Sequence, residues 1–368
     1  MGDTFVRFKA AAVQAAPVFL DRGATVAKAC SLIRGAASNG ARLVAFPEVF
    51  VPGYPYWIWV ETPLTARRLF VELVKNGVEV PSDATEQLCQ AAREGRCYVV
   101  IGINERGRHS SAELYNTALV IGPDGRIIGK HRKLMPTYAE KLTWGFGDGS
   151  TLRPYGTEIG RLGVLNCGEN GNPLLRFALI AQGEQVHVAN YPALSLAPES
   201  GHFNFRLAEE IRTAAHAFEG KLFNVVSSAV MDEEAKAIVC DTEEKRRLFR
   251  NVNNVLTAIY GPDGSCIAGP LGEDDEGIVY GDVDLEAILA QKLFHDVAGS
   301  YNRFDVVSLN LNRRPLSPIR EEMMVAAREA VRQAGPDVES LADELRAELR
   351  RLVQELLTNA DLDKGGTP

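Results

Sequence analysis

The chain has 368 residues, of which 46% are hydrophobic, so it can bury a sizeable core as one large domain or two ordinary ones. Its formal net charge of −8 argues against nucleic acid or an anionic membrane as the main partner, because either would favour a basic surface. No apolar run approaches the roughly 20 residues that span a bilayer, and the first residues lack a secretory-signal pattern, so we expect a cytoplasmic protein.

Short β-rich runs alternate with helical patterns along the chain. The first half contains a strand at 8–13, a helix at 24–37, a strand at 43–46, a helix at 85–93 and a strand at 97–103. The second half contains a strand at 162–166, a helix at 174–182, a strand at 185–189, a helix at 206–218 and a strand at 225–230. Asn172 followed by Pro173 is typical of a helix start. This alternation predicts an α/β protein built on sheets.

Two segments, 116–129 and 254–269, share an unusual pattern. Each has a β-rich run, the turn Gly-Pro-Asp-Gly and a second β-rich run, which together predict a β-hairpin. Two similar hairpins indicate two related halves, each contributing a sheet. The alternative is that both segments simply use a common hairpin solution.

The character of the chain changes after about residue 312. Segments 318–334 and 338–358 are helical in pattern and heavily charged. We therefore predict one domain over 1–312 and a helical extension over 313–368 with a disordered tip. One stripe of the second helix carries five leucines, which would pack on the same subunit or on a partner: Leu341, Leu345, Leu349, Leu352 and Leu356.

Cys167 is a candidate nucleophile among six cysteines that form no Cys-x-x-Cys pair and that we expect to be reduced and mostly buried. It lies where a strand stops and a glycine-containing turn leads into a helix. The helix dipole and unpaired N–H groups there would lower the pKa of the thiol. Gly168 and Gly171 would let a substrate approach, with the N–H of Gly168 as an oxyanion donor. The alternative is a buried cysteine at a strand end.

A nucleophilic thiol needs a base, and none of the six histidines lies in a recognisable cysteine-protease motif. His187 lies in an apolar strand and His216 in a helix beside Glu219, so we expect both to be structural. Glu48 directly follows a buried strand and precedes an aromatic-rich loop, which suits a pocket wall. Its alternative is an ordinary glutamate at the surface.

Lys133 is the candidate cation, within the basic stretch Lys130-His131-Arg132-Lys133. The alternative for this stretch is a solvated turn. Glu140 follows seven residues later and could pair with one of these cations.

Three segments, in this order, resemble the catalytic segments of the nitrilase superfamily. They begin at Phe46-Pro47-Glu48, at His131-Arg132-Lys133 and at Leu165-Asn166-Cys167. Segments 115–125, 144–150, 181–187 and 299–306 match as well, so the resemblance covers roughly residues 6–310. Tyr-Ala-Glu-x-Leu-x-Trp at 138–144 and Gln-Gly-Glu-Gln-Val-His at 182–187 are similar to nitrilases rather than to amidases or carbamoylases.

The resemblance implies a four-layer α-β-β-α sandwich that hydrolyses an organic nitrile without a metal or organic cofactor. Glu48 would be the general base, Lys133 the charge-stabilising group, Cys167 the nucleophile and Glu140 a positioning residue. The alternatives are an aliphatic amidase or N-carbamoyl amide hydrolase with the same three groups, and a non-catalytic scaffold.

The resemblance also implies a homodimer built on helices 174–182 and 206–218, which in nitrilases often extends into spirals. Two positions depart from the family pattern: Gly168 replaces a common tryptophan, and Phe304 replaces a usual proline. The residues that we expect to line the substrate pocket are Tyr54, Trp57, Trp144, Gly168, Tyr191 and Pro192.

Overall fold

A computed structural model describes residues 3–196 and 204–319 and the single positions 343, 347 and 351. Within these residues the strands are β1 Arg7–Gln14, β2 Ala41–Ala45, β3 Tyr98–Arg106, β4 Leu114–Ile121, β5 Ile127–Arg132, β6 Tyr155–Thr157, β7 Gly160–Asn166, β8 Val186–Tyr191, β9 Phe223–Ser228, β10 Ala258–Tyr260, β11 Cys266–Ala268 and β12 Gly277–Asp284. The α-helices are α1 Arg22–Ser38, α2 Arg67–Lys75, α3 Asp83–Gly95, α4 Pro173–Ile180, α5 Phe205–Gly220, α6 Glu233–Val239, α7 Glu243–Leu248 and α8 Glu286–Lys292. Three 3-10 helices span Tyr56–Trp59, Tyr138–Leu142 and Cys167–Gly171.

The strands form two six-stranded sheets of the same design. The first sheet has the order β12-β1-β2-β3-β4-β5, and the second has the order β11-β10-β9-β8-β7-β6. Each has three parallel strands at its centre, β1–β3 and β7–β9, followed by an antiparallel hairpin, β4–β5 and β10–β11. Both predicted hairpins are confirmed, and the shared strand pattern supports two related halves.

Helices cover the outer faces of the two sheets. Helices α1 and α3 pack together over a core that includes outward-facing Ala11, Val13 and Val44 of the first sheet. Between the sheets, alternate residues such as Ala10, Ala12 and Val164 form a second core. With α4 and α5 packed on the second sheet, the predicted four-layer α-β-β-α sandwich is confirmed.

The helix ends follow from local chemistry. At the start of α1 the Asp21 carboxylate accepts a hydrogen bond from the N–H of Ala24, and the helix is followed by Gly40 at φ +85°. Helix α4 begins as predicted, with Asn172 accepting from the N–H of Leu174 and proline at the first helical position. Among the described residues no helix is both long and apolar enough to cross a membrane.

The chain divides into two compact units, Met1–Leu316 and Ser317–Pro368. In the second unit Asp343, Ala347 and Arg351 are helical and exposed. The predicted leucine stripe and most of helices 318–334 and 338–358 lie outside the described residues, so the predicted extension from residue 313 stays a prediction.

Gly102 of β3 lets the segment after β2 run directly against the sheet. The N–H of Gly102 donates to the carbonyl of Pro47 at 3.2 Å, and its own carbonyl accepts from the N–H of Val51 at 3.1 Å. A Cβ atom at position 102 would overlap the backbone of Pro47, Glu48 and Val49. The absence of a side chain at Gly102 therefore fixes the position from which Glu48 projects.

We expect Gly102→Ala to destabilise the fold by about 1–3 kcal/mol, because the added methyl group meets backbone that cannot move aside. Gly156→Ala in β6 is the matched control, since a Cβ there has no neighbour within 4 Å. Urea unfolding followed by circular dichroism measures both variants. Equal unfolding free energies for the two would show that the close approach at Gly102 does not constrain the backbone.

Candidate active site

Three charged side chains meet in the interior although each is almost inaccessible to solvent. The Lys133 Nζ donates to Glu48 Oε1 at 2.8 Å and to Glu140 Oε2 at 2.7 Å. Lys133 and Glu48 are 1% exposed and Glu140 is 0% exposed. A buried ammonium is tolerated when carboxylates surround it, so these three groups form one electrostatic unit. The surface alternative for Glu48 is wrong.

Side chains alternate between the two faces of β5, which explains why neighbouring residues of the basic stretch 130–133 have different surroundings. On one side of β5, Lys130 and Arg132 both donate to the buried Glu105 carboxylate. On the other side, His131 and then Lys133 enter the interior. The solvated-turn alternative is therefore wrong for His131 and Lys133.

Asn116 of β4 joins the base candidate to the cation candidate, and sequence reasoning did not identify it. Its Nδ2 donates to Glu48 Oε1 at 2.5 Å, and its backbone carbonyl accepts from the N–H of Lys133 at 2.8 Å. The N–H of Glu48 donates in turn to the carbonyl of Tyr191 at 3.4 Å. Asn116 is part of segment 115–125, but nothing in that segment distinguishes it from an ordinary strand residue.

Cys167 begins a 3-10 helix, Cys167–Gly171, immediately after β7. It is 4% exposed and has φ +48°, in the left-handed region that non-glycine residues rarely adopt. The structure thus forces the backbone of this residue into a strained turn. The prediction of mostly buried, free thiols is confirmed, with Cys266 as the exposed exception among the six.

Glu169 ties this turn to the loop that carries the lysine. Its carboxylate accepts from the N–H of Asn166 at 2.9 Å, from the N–H of Leu134 at 2.8 Å and from His131 Nε2 at 3.0 Å. The position of the Cys167 turn relative to the lysine loop is therefore set by one buried carboxylate. Sequence reasoning missed Glu169, although it lies two residues after the cysteine.

The electrostatics of the thiol differ from the sequence prediction. Burial, and then the charge of Glu48, raise the pKa of Cys167 well above its ordinary value, although Lys133 and Arg212 oppose this. The predicted lowering of the pKa of Cys167 by a helix dipole is wrong. The 3-10 helix separates Cys167 from the first turn of α4, and the thiol is buried among carboxylates instead.

The two neighbours of the thiol have shifted pKa values as well. Burial raises the pKa of Glu48 to about 7, because the attraction of Lys133 does not offset the loss of solvent. Although burial would lower the pKa of Lys133, the carboxylates of Glu140 and Glu48 raise it well above its ordinary value. The site therefore holds an ammonium group, a protonated thiol and a carboxyl group that titrates near neutral pH.

Residues 9–292 match the family model described as carbon-nitrogen hydrolase. The chain belongs to the carbon–nitrogen hydrolase family. The resemblance to the nitrilase superfamily is thereby confirmed, and this hydrolase acts on carbon–nitrogen bonds. It is 44% identical to an aliphatic nitrilase of Rhodococcus rhodochrous over 314 residues, which cover 85% of this chain and 84% of that protein. It is also 40% identical to a nitrilase of Bacillus sp. strain OxB-1 over 316 residues, which cover 86% of this chain and 91% of that protein.

Solved structures have the same fold as this hydrolase. The Caenorhabditis elegans NitFhit protein matches with a TM-score of 0.65 and 18% identity, over 86% of this chain and 70% of that chain. Saccharomyces cerevisiae Nit3, a member of branch 10 of the nitrilase superfamily, matches with a TM-score of 0.61 and 19% identity, over 80% of this chain and 96% of that chain. At these identities the likeness concerns the fold alone.

Three of the six predicted pocket residues, Tyr54, Trp144 and Tyr191, contact residues of the charged unit of the hydrolase. The Tyr54 hydroxyl donates to Glu140 Oε1 at 2.9 Å, and its ring centroid lies 5.6 Å from that of Trp144. Tyr191 and Pro192 are buried at the end of β8, where the Tyr191 carbonyl receives the N–H of Glu48. These aromatic groups pack beside a charged unit that is itself almost inaccessible to solvent.

Trp57 and Gly168 have different surroundings. Trp57 is buried and lines an apolar cavity of about 250 Å³ with Ile58, Phe70 and Leu142. Gly168 is exposed, and a Cβ there would lie 3.2 Å from Thr137 Oγ1. The glycine that replaces tryptophan therefore avoids a tight contact with Thr137 beside the cysteine turn.

Two further groups of the hydrolase lie behind the site. Arg212 of α5 places its guanidinium 5.2 Å from the ring centroid of Tyr191, and no sequence pattern pointed to it. His187 and His216 both hydrogen-bond Glu184, so the structural prediction for the histidines is confirmed, with Glu184 rather than Glu219 as the partner of His216.

Proposed function

We propose that this hydrolase converts an organic nitrile to the carboxylic acid and ammonia with Cys167 as the nucleophile. The observation that carries the proposal is the buried ammonium of Lys133, held between Glu48 and Glu140 beside the thiol. Support for a nitrile substrate comes from relatives that are 35–44% identical and are named nitrilase, aliphatic nitrilase or arylacetonitrilase.

The first half of the reaction adds the thiol to the nitrile. Glu48 takes the proton of Cys167, and the sulfur attacks the nitrile carbon to form a carbon–sulfur bond. Negative charge develops on the nitrile nitrogen, where Lys133 stabilises it and donates a proton, giving a thioimidate. The N–H of Gly168 supports the developing charge, because the first turn of a helix has unpaired backbone donors.

The second half consumes two water molecules. The proton on Glu48 first passes to Lys133, which restores the carboxylate and the ammonium. Glu48 then activates the first water, which attacks the thioimidate carbon. Both protons of this water reach the nitrogen by way of Glu48 and Lys133, so breaking of the carbon–nitrogen bond releases ammonia and leaves a thioester. A second water breaks the carbon–sulfur bond, releases the acid and restores the thiol. Glu140 orients Lys133 throughout. The substrate's organic group lies against Tyr54, Trp144, Tyr191 and Pro192, with the cavity beside Trp57 available to larger groups; these assignments follow from burial and position.

The amidase and carbamoylase alternatives require the same three groups and differ only in substrate. We expect ammonia release from a panel of aliphatic, aromatic and arylaliphatic nitriles, with slower release from the matching amides. Cys167→Ala should abolish release while circular dichroism stays unchanged, because no other group can form the thioimidate. Cys266→Ala, at the exposed cysteine, is the matched control and should change the rate by no more than about twofold. Preference for amides, or turnover by Cys167→Ala, would contradict the proposal.

The pKa of Glu48 sets an expected pH dependence. The base must lose its proton to accept one from Cys167, so kcat/KM should be low in acid and rise with a midpoint near pH 7. A folded-state pKa of about 7 against an ordinary 4.5 means that the protonated carboxyl favours folding. This stabilisation of the folded state is present below pH 4.5 and is lost as the pH rises through 7. The loss of activity in acid therefore does not come from unfolding caused by Glu48. Stopped assays from pH 4 to 9 measure the profile, and a midpoint near 4.5 would contradict the raised pKa of Glu48.

We also propose that the hydrolase is a homodimer, or larger, built on the face of α4 and α5. This face exposes four large apolar side chains: Leu174, Leu207, Ile211 and Phe218. Next to it, Phe304 and Phe177 line an apolar cleft of about 470 Å³, which gives the family departure at Phe304 a place on the same face. A location in the cytoplasm and the absence of nucleic-acid and membrane partners stay predictions.

We expect Ile211→Glu to reduce the particle mass measured by light scattering, because a buried charge opposes association. Ile238→Glu on α6 is the matched control, since Ile238 is similarly exposed but lies on another helix. An unchanged mass for Ile211→Glu would exclude this face as the interface.

A further inference from the structure

Asn170 is fixed in one orientation directly behind the cysteine. It lies in the same 3-10 helix as Cys167 and is 1% exposed. Its Nδ2 lies 3.1 Å from the carbonyl oxygens of both Leu165 and Cys167. Of the two ends of the Asn170 amide, only the NH2 group can donate to these carbonyl oxygens. The Oδ1 atom must therefore point away from the turn. It faces His187, whose Nε2 is 2.9 Å away.

His187 is therefore bordered by an acceptor on each side. Its Nε2 meets Asn170 Oδ1, and its Nδ1 lies 2.7 Å from Glu184 Oε1. Both ring nitrogens have to donate, which only the imidazolium form of histidine can do. Burial would raise the pKa of Glu184, but His187 and His216 lower it to about 2, so the carboxylate is charged. His187 and Glu184 thus form an ion pair with no exposed side-chain surface.

His216, the second histidine that contacts Glu184, has a different protonation state. His216 Nε2 lies 3.0 Å from Glu184 Oε2, while its Nδ1 has no hydrogen-bond partner among the described residues. Burial and the nearby His187 lower the pKa of His216 to about 4, so His216 is neutral. The two rings are 4.2 Å apart between centroids, but only His187 contacts Asn170.

We propose that Asn170, His187 and Glu184 form a positioning relay that keeps Cys167 in its left-handed backbone conformation. The conformation at φ +48° persists only if its surroundings hold it, and the Asn170 amide holds the carbonyls on both sides. The imidazolium polarises that amide and strengthens both hydrogen bonds, because charge-assisted bonds are shorter and stronger than neutral ones. The relay rests on the proposed role of Cys167, and its members act through the turn without touching the substrate.

A metal ion is the competing explanation for the cluster. The ligand atoms of Glu184, His187 and His216 lie within 4.8 Å of one another. Among the described residues, these three side chains form the group that could hold a metal ion. A metal would require a bare nitrogen on His187, whereas the relay requires a proton on each. Metal analysis of the purified full chain separates the two, and one tightly bound metal per subunit would overturn the relay.

The relay is tested with one substitution at two neighbouring histidines. His187→Gln cannot donate in line to both acceptors, so kcat should fall about 10–100-fold while KM changes less than about threefold. His216→Gln keeps a donor to Glu184 and should retain kcat within about threefold, with any loss confined to thermal stability. Equal kcat losses, or a change in KM alone for His187→Gln, would overturn the relay.

A second readout requires no substrate and so separates the relay from the proposed function. Alkylation of Cys167 by iodoacetamide is followed by peptide mass mapping, with exposed Cys266 as the internal standard. We expect His187→Gln to slow alkylation at Cys167 and not at Cys266. If the wild-type protein hydrolyses no nitrile, the proposed function fails while this arm still tests the relay.

Asn170→Asp tests the relay if His187→Gln does not fold. The aspartate keeps an acceptor for His187 but loses the donor to the carbonyls of Leu165 and Cys167. The imidazolium would neutralise the new charge, so the variant should fold, with kcat and the rate of Cys167 alkylation both lowered. Unchanged kcat, or an unchanged rate of Cys167 alkylation, would overturn the relay.

Discussion

An ammonium group in the interior of a sandwich is stable only with carboxylates around it, and Lys133 has Glu48 and Glu140 as direct partners. The other features of the site follow from this requirement. Asn116 donates to one carboxylate, Tyr54 donates to the other, and the ring of Trp144 packs on that of Tyr54. Each carboxylate is held by the ammonium and by a second protein donor, so the site is arranged before any substrate arrives. In such a site the charges need little reorganisation when the reaction begins.

Much of this arrangement is predictable from the sequence where local chemistry decides the structure. The Asn172-Pro173 helix start, the two Gly-Pro-Asp-Gly hairpins and the alternation of strands with helices all have short-range causes. The position of Glu48 at a strand exit followed from the strand pattern, and the order of the three segments indicated the family. The pairing of Glu140 with Lys133 needed only a spacing of seven residues and opposite charge.

The remaining features depend on contacts between distant segments, which strand patterns do not encode. The pKa of Cys167 depends on burial beside Glu48, which lies on the other sheet, so the local picture of a thiol at a helix start gave the wrong direction. Glu169 is close to the cysteine in sequence, but its role arises from His131 on the first sheet. His187 was correctly predicted as structural, yet its two acceptors appear only when α4, β8 and the cysteine turn are assembled.

The proposed nucleophile and its proposed base belong to different sheets, because Cys167 follows β7 whereas Glu48 follows β2. Part of the gap between the sheets is lined by small side chains of the first sheet, namely Ala10, Ala12, Ala45 and Ala118. The separation of the reacting groups is therefore set by side-chain volume in a layer that no substrate reaches. A methylene group added deep in that layer would act like a wedge, moving the base from the thiol without contacting either.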